Sequence, residues 1–430
     1  MNLLKAVLAA EVYPALGCTE PIACAYAAAV AAEQLGRPVE RLAIRVDPGT
    51  YKNGASVVVP NSGGARGNRI AAALGAQVAR SADRLELLAN VTPGMRSKAQ
   101  TLIDSYAFEY GVLEGQHGLR IEVAVGAGPS EARCVLSEGH AHIERIEKDG
   151  QTVFRAPSDA NHRSGLSYRH ELRHLDLAAL VELAGAIDDE DREYLRRGIR
   201  MNLALSERGL RLKGSAYQLA AMVRHGLLLE DLFHRAKRTV AAAVDARMNG
   251  EPLPAMTSGG SGNQGIIASL TPYRVGNERQ VDEERILRSI ALAHLINAYV
   301  KCFVGELAVI CGCAMSAGIA AAAAIVYQRE PGDVRRMGLA INTVVGDLGG
   351  MICDGAKPGC AMKAVTSVDA ALRAGFMALE GFGLGSNDGV VGRTPEDTVR
   401  NLGRITLEGM LAVDPTVLDI LKHKAAPGRS

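Results

Sequence analysis

The chain has no tryptophan and only 6 phenylalanines, and aromatic residues make up 4% of it. A surface that stacks nucleobases needs aromatic faces, so that class of site is not expected, and the core must be closed by small aliphatic side chains. Excess charge of either sign is also missing: 48 Lys and Arg stand against 47 Asp and Glu, a net +1. That balance provides no electrostatic footprint for nucleic acid or an anionic membrane surface, and it points to a small-molecule partner. The opening Met1-Asn2-Leu3-Leu4-Lys5 has no cationic stretch ahead of a sustained apolar segment, and Glu11 interrupts it early. No secretory signal is read there, and a cytoplasmic protein is expected. With 48% hydrophobic and 22% charged residues over 430 positions, disorder and collagen-like repetition are excluded, and two or three domains are expected.

What the chain has in quantity is alanine, 47 glycines and 8 cysteines. In the cytoplasm thiols stay reduced, so clustered cysteines read as metal-binding or catalytic rather than as a disulfide framework. One segment, 307–327, carries no charge over a bilayer-sized length. It is rich in Ala and Gly, and Lys301, Glu306, Arg329 and Glu330 bracket it without an aromatic belt, so a buried helix is expected there and no membrane span.

Periodicity divides the chain. Residues 1–36 read as two helices broken at Gly17-Cys18-Thr19-Glu20-Pro21, where Thr19 can cap and Glu20 and Pro21 suit a first turn. These helices are expected to pack on the helical domain. From 37 to 160, short alternating segments at 42–46, 55–59, 85–88, 120–125, 133–136 and 141–146 read as strands, with helices at 68–80 and 96–106. The remainder, 161–430, reads as helical, with Gly-rich loops at 257–265, 346–360 and 381–392. The expected fold class is α+β: a small mixed sheet domain plus a larger all-α domain carrying the cysteines.

Four patterns carry candidate chemistry. His170-Glu171-Leu172-Arg173-His174 matches H-E-x-x-H, which on a helix sets two imidazoles on one face, and Glu193 could add a third ligand. Arg169 and Arg173 flank the pattern where zinc would want apolar support, so a solvated charged face is the expectation. His140 and His142 alternate on an expected strand, and exposed strand polarity explains them equally well.

The second pattern is the set Cys302, Cys311, Cys313, Cys353 and Cys360 in one Gly-rich region. The loop 353–360 can fold tightly and turn amides toward sulfur, as a cluster-ligand loop or as a pair of buried thiols. Cys311 and Cys313, two apart on an expected helix, cannot both face one metal. Cys24 and Cys134 sit in apolar segments as core fillers. Third, Cys18 stands just before a helix start, where the macrodipole favours a thiolate, with a buried structural Cys as the alternative. Fourth, Ser258-Gly259-Gly260-Ser261-Gly262-Asn263-Gln264-Gly265 can bring bare amides to an anion at a helix start. No Lys follows its last Gly, so it is not a Walker loop. A carboxylate or small phosphate is the expected guest, and a flexible linker is the alternative.

Taken together, the run 11–21, Tyr51-Lys52-Asn53-Gly54, the loop 258–265, Gly312-Cys313-Ala314-Met315, and Cys353 with Cys360 resemble the iron–sulfur-dependent L-serine dehydratase alpha-chain family, and within it the L-cysteine desulfidase branch. The resemblance runs in order over nearly the whole chain. It implies a 4Fe-4S cluster held by Cys313, Cys353 and Cys360, with one iron open as a Lewis acid for α,β-elimination from L-cysteine. Cys18 is then a fourth, displaceable ligand or an acid/base. Related dehydratases set a cysteine near the chain end over the cluster; 426–430 has none, which raises the standing of Cys18. On the same resemblance Lys52 and Asn53 contact substrate, with Lys52 a candidate base, and Ser258, Gly260, Ser261, Asn263 and Gln264 bind it. L-serine or another β-substituted amino acid is the alternative substrate, and a non-catalytic cluster-binding redox protein is the alternative of another class. The expected partner is a small amino acid, with neither nucleic acid nor membrane, and a homo-oligomer stays open.

Overall fold

The computed structural model describes residues 2–116, 118–157, 167–305 and 307–425. The fold is α+β: a six-stranded mixed sheet with its own helices beside a larger helical part. The strands are β1 (Pro14–Leu16), β2 (Arg41–Val46), β3 (Phe108–Val112), β4 (Arg120–Ala127), β5 (Ser130–Ser137), β6 (Ile143–Lys148), β7 (Gln151–Arg155) and β8 (Pro254–Met256). The sheet order is β3-β2-β4-β5-β6-β7, with only the β2–β3 pair parallel.

Period-2 patterning decides which face is covered. Leu42, Ile44 and Val46 of β2 and Ile121, Val123 and Val125 of β4 point to one side and are buried, against the helices Thr19–Leu35 and Gly67–Val78. These two helices touch through backbone. A Cβ on Gly75 would lie 2.0 Å from the Ala25 carbonyl oxygen, so the close approach depends on a residue without a side chain.

Several sequence expectations change here. Residues 85–88 are not a strand but part of the 3₁₀ segment Ser81–Asn90, whose Leu85, Leu87 and Leu88 are buried without period-2 order. Residues 55–59 contribute only a single bridge, Val58 to Arg66. The strands β3 and β7 were not anticipated, and β7 is exposed throughout, leaving no apolar alternation to read. The N-terminal pair of helices divides: Leu3–Glu11 packs into the helical core, whereas Thr19–Leu35 belongs to the sheet's core. Between them β1 pairs antiparallel with β8, so the chain passes from one core to the other immediately before Cys18. The helical part is therefore not purely α.

At the centre of the helical part lies Ser316–Arg329, buried from Ser316 to Gln328 and enclosed by Gly262–Glu278, Glu283–Val304, Val334–Leu348 and Cys360–Leu379. Its alanines let the neighbouring helices pack closely. The uncharged run 307–327 is not one helix: its first nine residues form a bridge and turns, and the 14-residue helix after them is about 21 Å long, short of a bilayer core of about 30 Å. Among the described residues one helix, Glu283–Val304, is long and apolar enough to cross a membrane, and 83% of its apolar stretch is buried inside the protein. It is a core helix.

Candidate active site at the junction of the two cores

Four helices begin at one cavity. Cys18, Thr19 and Glu20 open Thr19–Leu35; Ser261, Asn263 and Gln264 open Gly262–Glu278; Cys313 and Ser316 lead into Ser316–Arg329; Cys360 opens Cys360–Leu379, and all of them line the same space. Each N-terminus presents unpaired amides and a partial positive charge. Converging, they make the cavity a place for anions.

Cys18 is the N-cap of its helix and gives no side-chain cap bond. Its Sγ donates to Glu20 Oε2 at 3.0 Å. The dipole's pull toward a thiolate is opposed here: burial and the Glu20 carboxylate push the Cys18 pKa well above the ordinary thiol value, against a smaller opposing pull from Arg247. Burial alone would raise Glu20 as well, but His140, the Cys18 thiol and the Asn53 amide hold its carboxyl well below the usual carboxylate range. The geometry agrees, with Asn53 Nδ2 donating to Glu20 Oε1 at 2.9 Å and His140 Nε2 standing 3.8 Å from the same oxygen. His140 is the residue that the sequence reading undervalued. It lies not on a strand but in the turn before β6, 6% exposed, whereas His142 is on the surface.

The thiols of Cys311, Cys313, Cys353 and Cys360 line the opposite wall. Cys311 and Cys313 precede the helix, in a turn, and both line the cavity. The helical-spacing objection to both facing one site therefore fails, and Cys311 joins the cavity rather than the core. The neighbouring Cys311 sulfur and burial push Cys313 up, while the Cys313 thiol and the Ala314 amide favour Cys311 as a thiolate. Burial pushes Cys353 up to about 11, with Cys311 and Cys360 adding to the rise and Lys52 opposing it. The loop 353–360 is fixed at both ends: Cys353 N–H donates to the Val309 carbonyl at 2.7 Å, and Lys363 Nζ reaches Asp354 Oδ1 at 2.6 Å. Gly355, at φ +95°, passes so close to Lys52 that a Cβ would meet its carbonyl oxygen at 2.3 Å. Asn53 spans the two walls, since its Oδ1 also accepts from Cys353 Sγ at 3.7 Å.

The 258–265 loop does reach the cavity through Gly260, Ser261, Asn263 and Gln264. Ser258 does not. It sits behind the wall, bonded to His294 Nδ1 at 2.9 Å and to Asn297 Nδ2 at 3.0 Å. Lys52 is also drawn away: it is 2% exposed, and its Nζ pairs with Asp414 Oδ1 at 2.6 Å on the helix Val413–Ala425. Two cations not foreseen from sequence line the cavity, Arg247 and Lys301, and Lys301 Nζ bonds to the Gly259 carbonyl. Several wall atoms have no hydrogen-bond partner: Arg247 Nε and Nη2, Gln264 Oε1 and Ser316 Oγ. A signal for Arg247 exists in hindsight, a charged residue inside the wholly buried run from Val240 to Met248.

The other candidates lie elsewhere. His170 and His174 are exposed, with ring centroids 4.8 Å apart, and Glu193 pairs with Arg200 and Arg196. That is the solvated face anticipated. Cys24 and Cys134 are buried in the sheet's core, and Cys302 packs beside the helical core. Residues 426–430, where no terminal cysteine occurs, fall outside the described residues.

The chain matches the serine dehydratase alpha chain family over residues 83–419, and it belongs to that family. It is 47% identical over 424 residues to a UPF0597 protein of Geobacter sulfurreducens, covering 99% of each chain. A UPF0597 protein of Elusimicrobium minutum is 42% identical, over 99% of this chain and 100% of its own, and one of Desulfatibacillum aliphaticivorans is 38% identical over 98% of each. No solved structure matches. Family membership supports a dehydratase-like lyase.

Proposed function

We propose that the protein is an iron–sulfur-dependent lyase that eliminates the β-substituent of a small amino acid, with L-cysteine as substrate and sulfide, pyruvate and ammonia as products. The observation that carries this reading is a single cavity lined by four thiols, by the Cys18–Glu20 pair and by polar atoms without hydrogen-bond partners. Like-charged buried sulfurs that raise one another's pKa need a cation to ionise together. Among the described residues no three His, Cys, Asp or Glu groups stand as ligands to a single ion. A cluster holds its thiolates further apart than one ion does, and soft sulfur is its donor. The donor chemistry, soft thiols lining one cavity, suits a cluster, and Cys313, Cys353 and Cys360 would hold it. When bound, the cluster supplies a Lewis acid for the departing thiolate or hydroxyl.

The rest of the chemistry falls to the chain's own side chains. Cys18 holds a proton beside Glu20; it can give that proton to the departing group and recover the one released from Cα, while the ionised Glu20 keeps the thiol protonated between turnovers. Asn53 and His140 fix the Glu20 carboxylate from its other oxygen. The amides of 261–264 face the substrate's negative end. Closure of the site between two cores excludes water until the enamine product leaves to hydrolyse. L-serine is the second reading, favoured by the family match, since a hydroxyl leaves by the same route.

Anaerobic purification tests this directly. Iron, acid-labile sulfide and sulfide release from L-cysteine are expected in the wild type and lost in Cys313→Ala and Cys353→Ala. A colourless, inactive protein after anaerobic reconstitution would overturn the reading.

A further inference from the structure

We infer that Arg247 is the anchor for the substrate's α-carboxylate, and that it sets the preference for amino acids over amines of the same shape. This rests on the proposed reading for the substrate class and on separate observations for the residue. Arg247 sits in the last turn of Leu232–Met248, only 2% exposed, and lines the same cavity as Cys18 and Glu20. A buried guanidinium with no carboxylate partner is costly to keep. Among the described residues no ion pair reaches Arg247: its Nη1 donates to Asn263 Oδ1 at 2.8 Å, and its Nε and Nη2 have no partner. Those two donors are the adjacent pair of a guanidinium edge, the geometry that takes both oxygens of a carboxylate.

Its surroundings point the same way. Arg247 packs against the first residue of Gly262–Glu278, where a Cβ on Gly262 would fall 2.3 Å from Nε. The guanidinium edge and the helix's first amides therefore lie together, two independent attractions for one anion. Asn263 is a positioning residue here, its amide oxygen occupied by Arg247 Nη1 and its amide nitrogen set against Met248 Sδ at 3.6 Å. Both Arg247 and Glu20 are close enough to Cys18 to bias its thiol, in opposite directions. A zwitterion can then lie with its carboxylate on Arg247 and its ammonium toward Glu20, which sets the substrate's Cα near Cys18.

The test is calorimetric titration of the anaerobically purified, cluster-loaded full-length protein with L-alanine, which has no β-substituent to lose, and with its decarboxylated analogue ethylamine. The wild type is expected to bind L-alanine about 100-fold more tightly than ethylamine, and Arg247→Met to lose that preference. Arg247→Lys should keep part of it, a point charge replacing a fork. Gly262→Ala retains the arginine but displaces Nε, and is expected to weaken L-alanine about 10-fold; it carries the test if Arg247→Met does not fold. Unchanged L-alanine affinity in the folded variants, or no L-alanine binding by the wild type, would overturn the inference. Sulfide and pyruvate release from L-cysteine, measured on the same preparation, tests the proposed activity separately. A protein that binds L-alanine through Arg247 yet releases neither keeps this subsite and loses that activity.

Discussion

Cys18 Sγ donates its hydrogen bond to Glu20 Oε2 at 3.0 Å, two residues along the same first helical turn. The ionised carboxylate thus keeps the thiol protonated. Glu20→Gln keeps one acceptor oxygen for the two donors Asn53 Nδ2 and Cys18 Sγ and removes the acceptor charge. It is expected to lower kcat by about 10² or more and, because the substrate's ammonium loses its partner, to raise KM as well. An unchanged kcat would remove the pair from the chemistry.

Lys52 and Asp414 predict an asymmetry. Lys52 is 2% exposed and Asp414 23%. Asp414→Asn strands a buried ammonium and should cost about 3–5 kcal/mol, whereas Lys52→Met leaves a carboxylate that water can still reach and should cost less. Thermal melts of the two variants check the order. Equal losses would mean that the pair is not buried as described.

How much of this was legible in the sequence follows from the kind of signal each residue leaves. Cys18, Cys313, Cys353, Cys360 and the 258–265 loop stand in Gly- and Pro-punctuated runs, and punctuation marks tight turns and helix starts locally. The α+β division was readable because β2 and most of β4 alternate. His140 and Arg247 leave no such mark, since each reaches the cavity only through tertiary packing from a distant turn or helix end. Cys311 was lost to an assumption of helix where the chain makes a turn. Lys52 and Ser258 lie on segments that reach the cavity, but their partners Asp414 and His294 take their polar atoms.

His294 gives a pH dependence. Desolvation lowers its pKa from the ordinary 6.5 to about 4. The unfolded chain therefore takes up this proton first as acid is added, and stability falls between about pH 6.5 and 4 by up to about 3 kcal/mol, being fully present above that window. Urea midpoints at pH 7.5 and pH 5 should converge in His294→Gln relative to the wild type. An identical pH slope in both proteins would remove His294 as the cause.

Gly75 tests how the sheet's helices are seated. Gly75→Ala places a Cβ 2.0 Å from the Ala25 carbonyl oxygen, and overpacking of this kind costs about 1–3 kcal/mol. Gly185→Ala, with nothing within 4 Å of its added Cβ, is the matched control and should melt within a degree or two of the wild type. Similar melts for both would show that the two helices stand further apart.

The most direct measurement of the central claim is the product ratio from L-cysteine under anaerobic conditions, with L-serine assayed beside it. One sulfide per pyruvate, a kcat/KM for L-cysteine above that for L-serine, and loss of both products together in Cys353→Ala are the predicted results. Pyruvate formed from L-serine with no sulfide from L-cysteine would contradict the desulfidase reading and leave a serine dehydratase in its place. Products undiminished in Cys353→Ala would contradict the thiol wall as the seat of the chemistry.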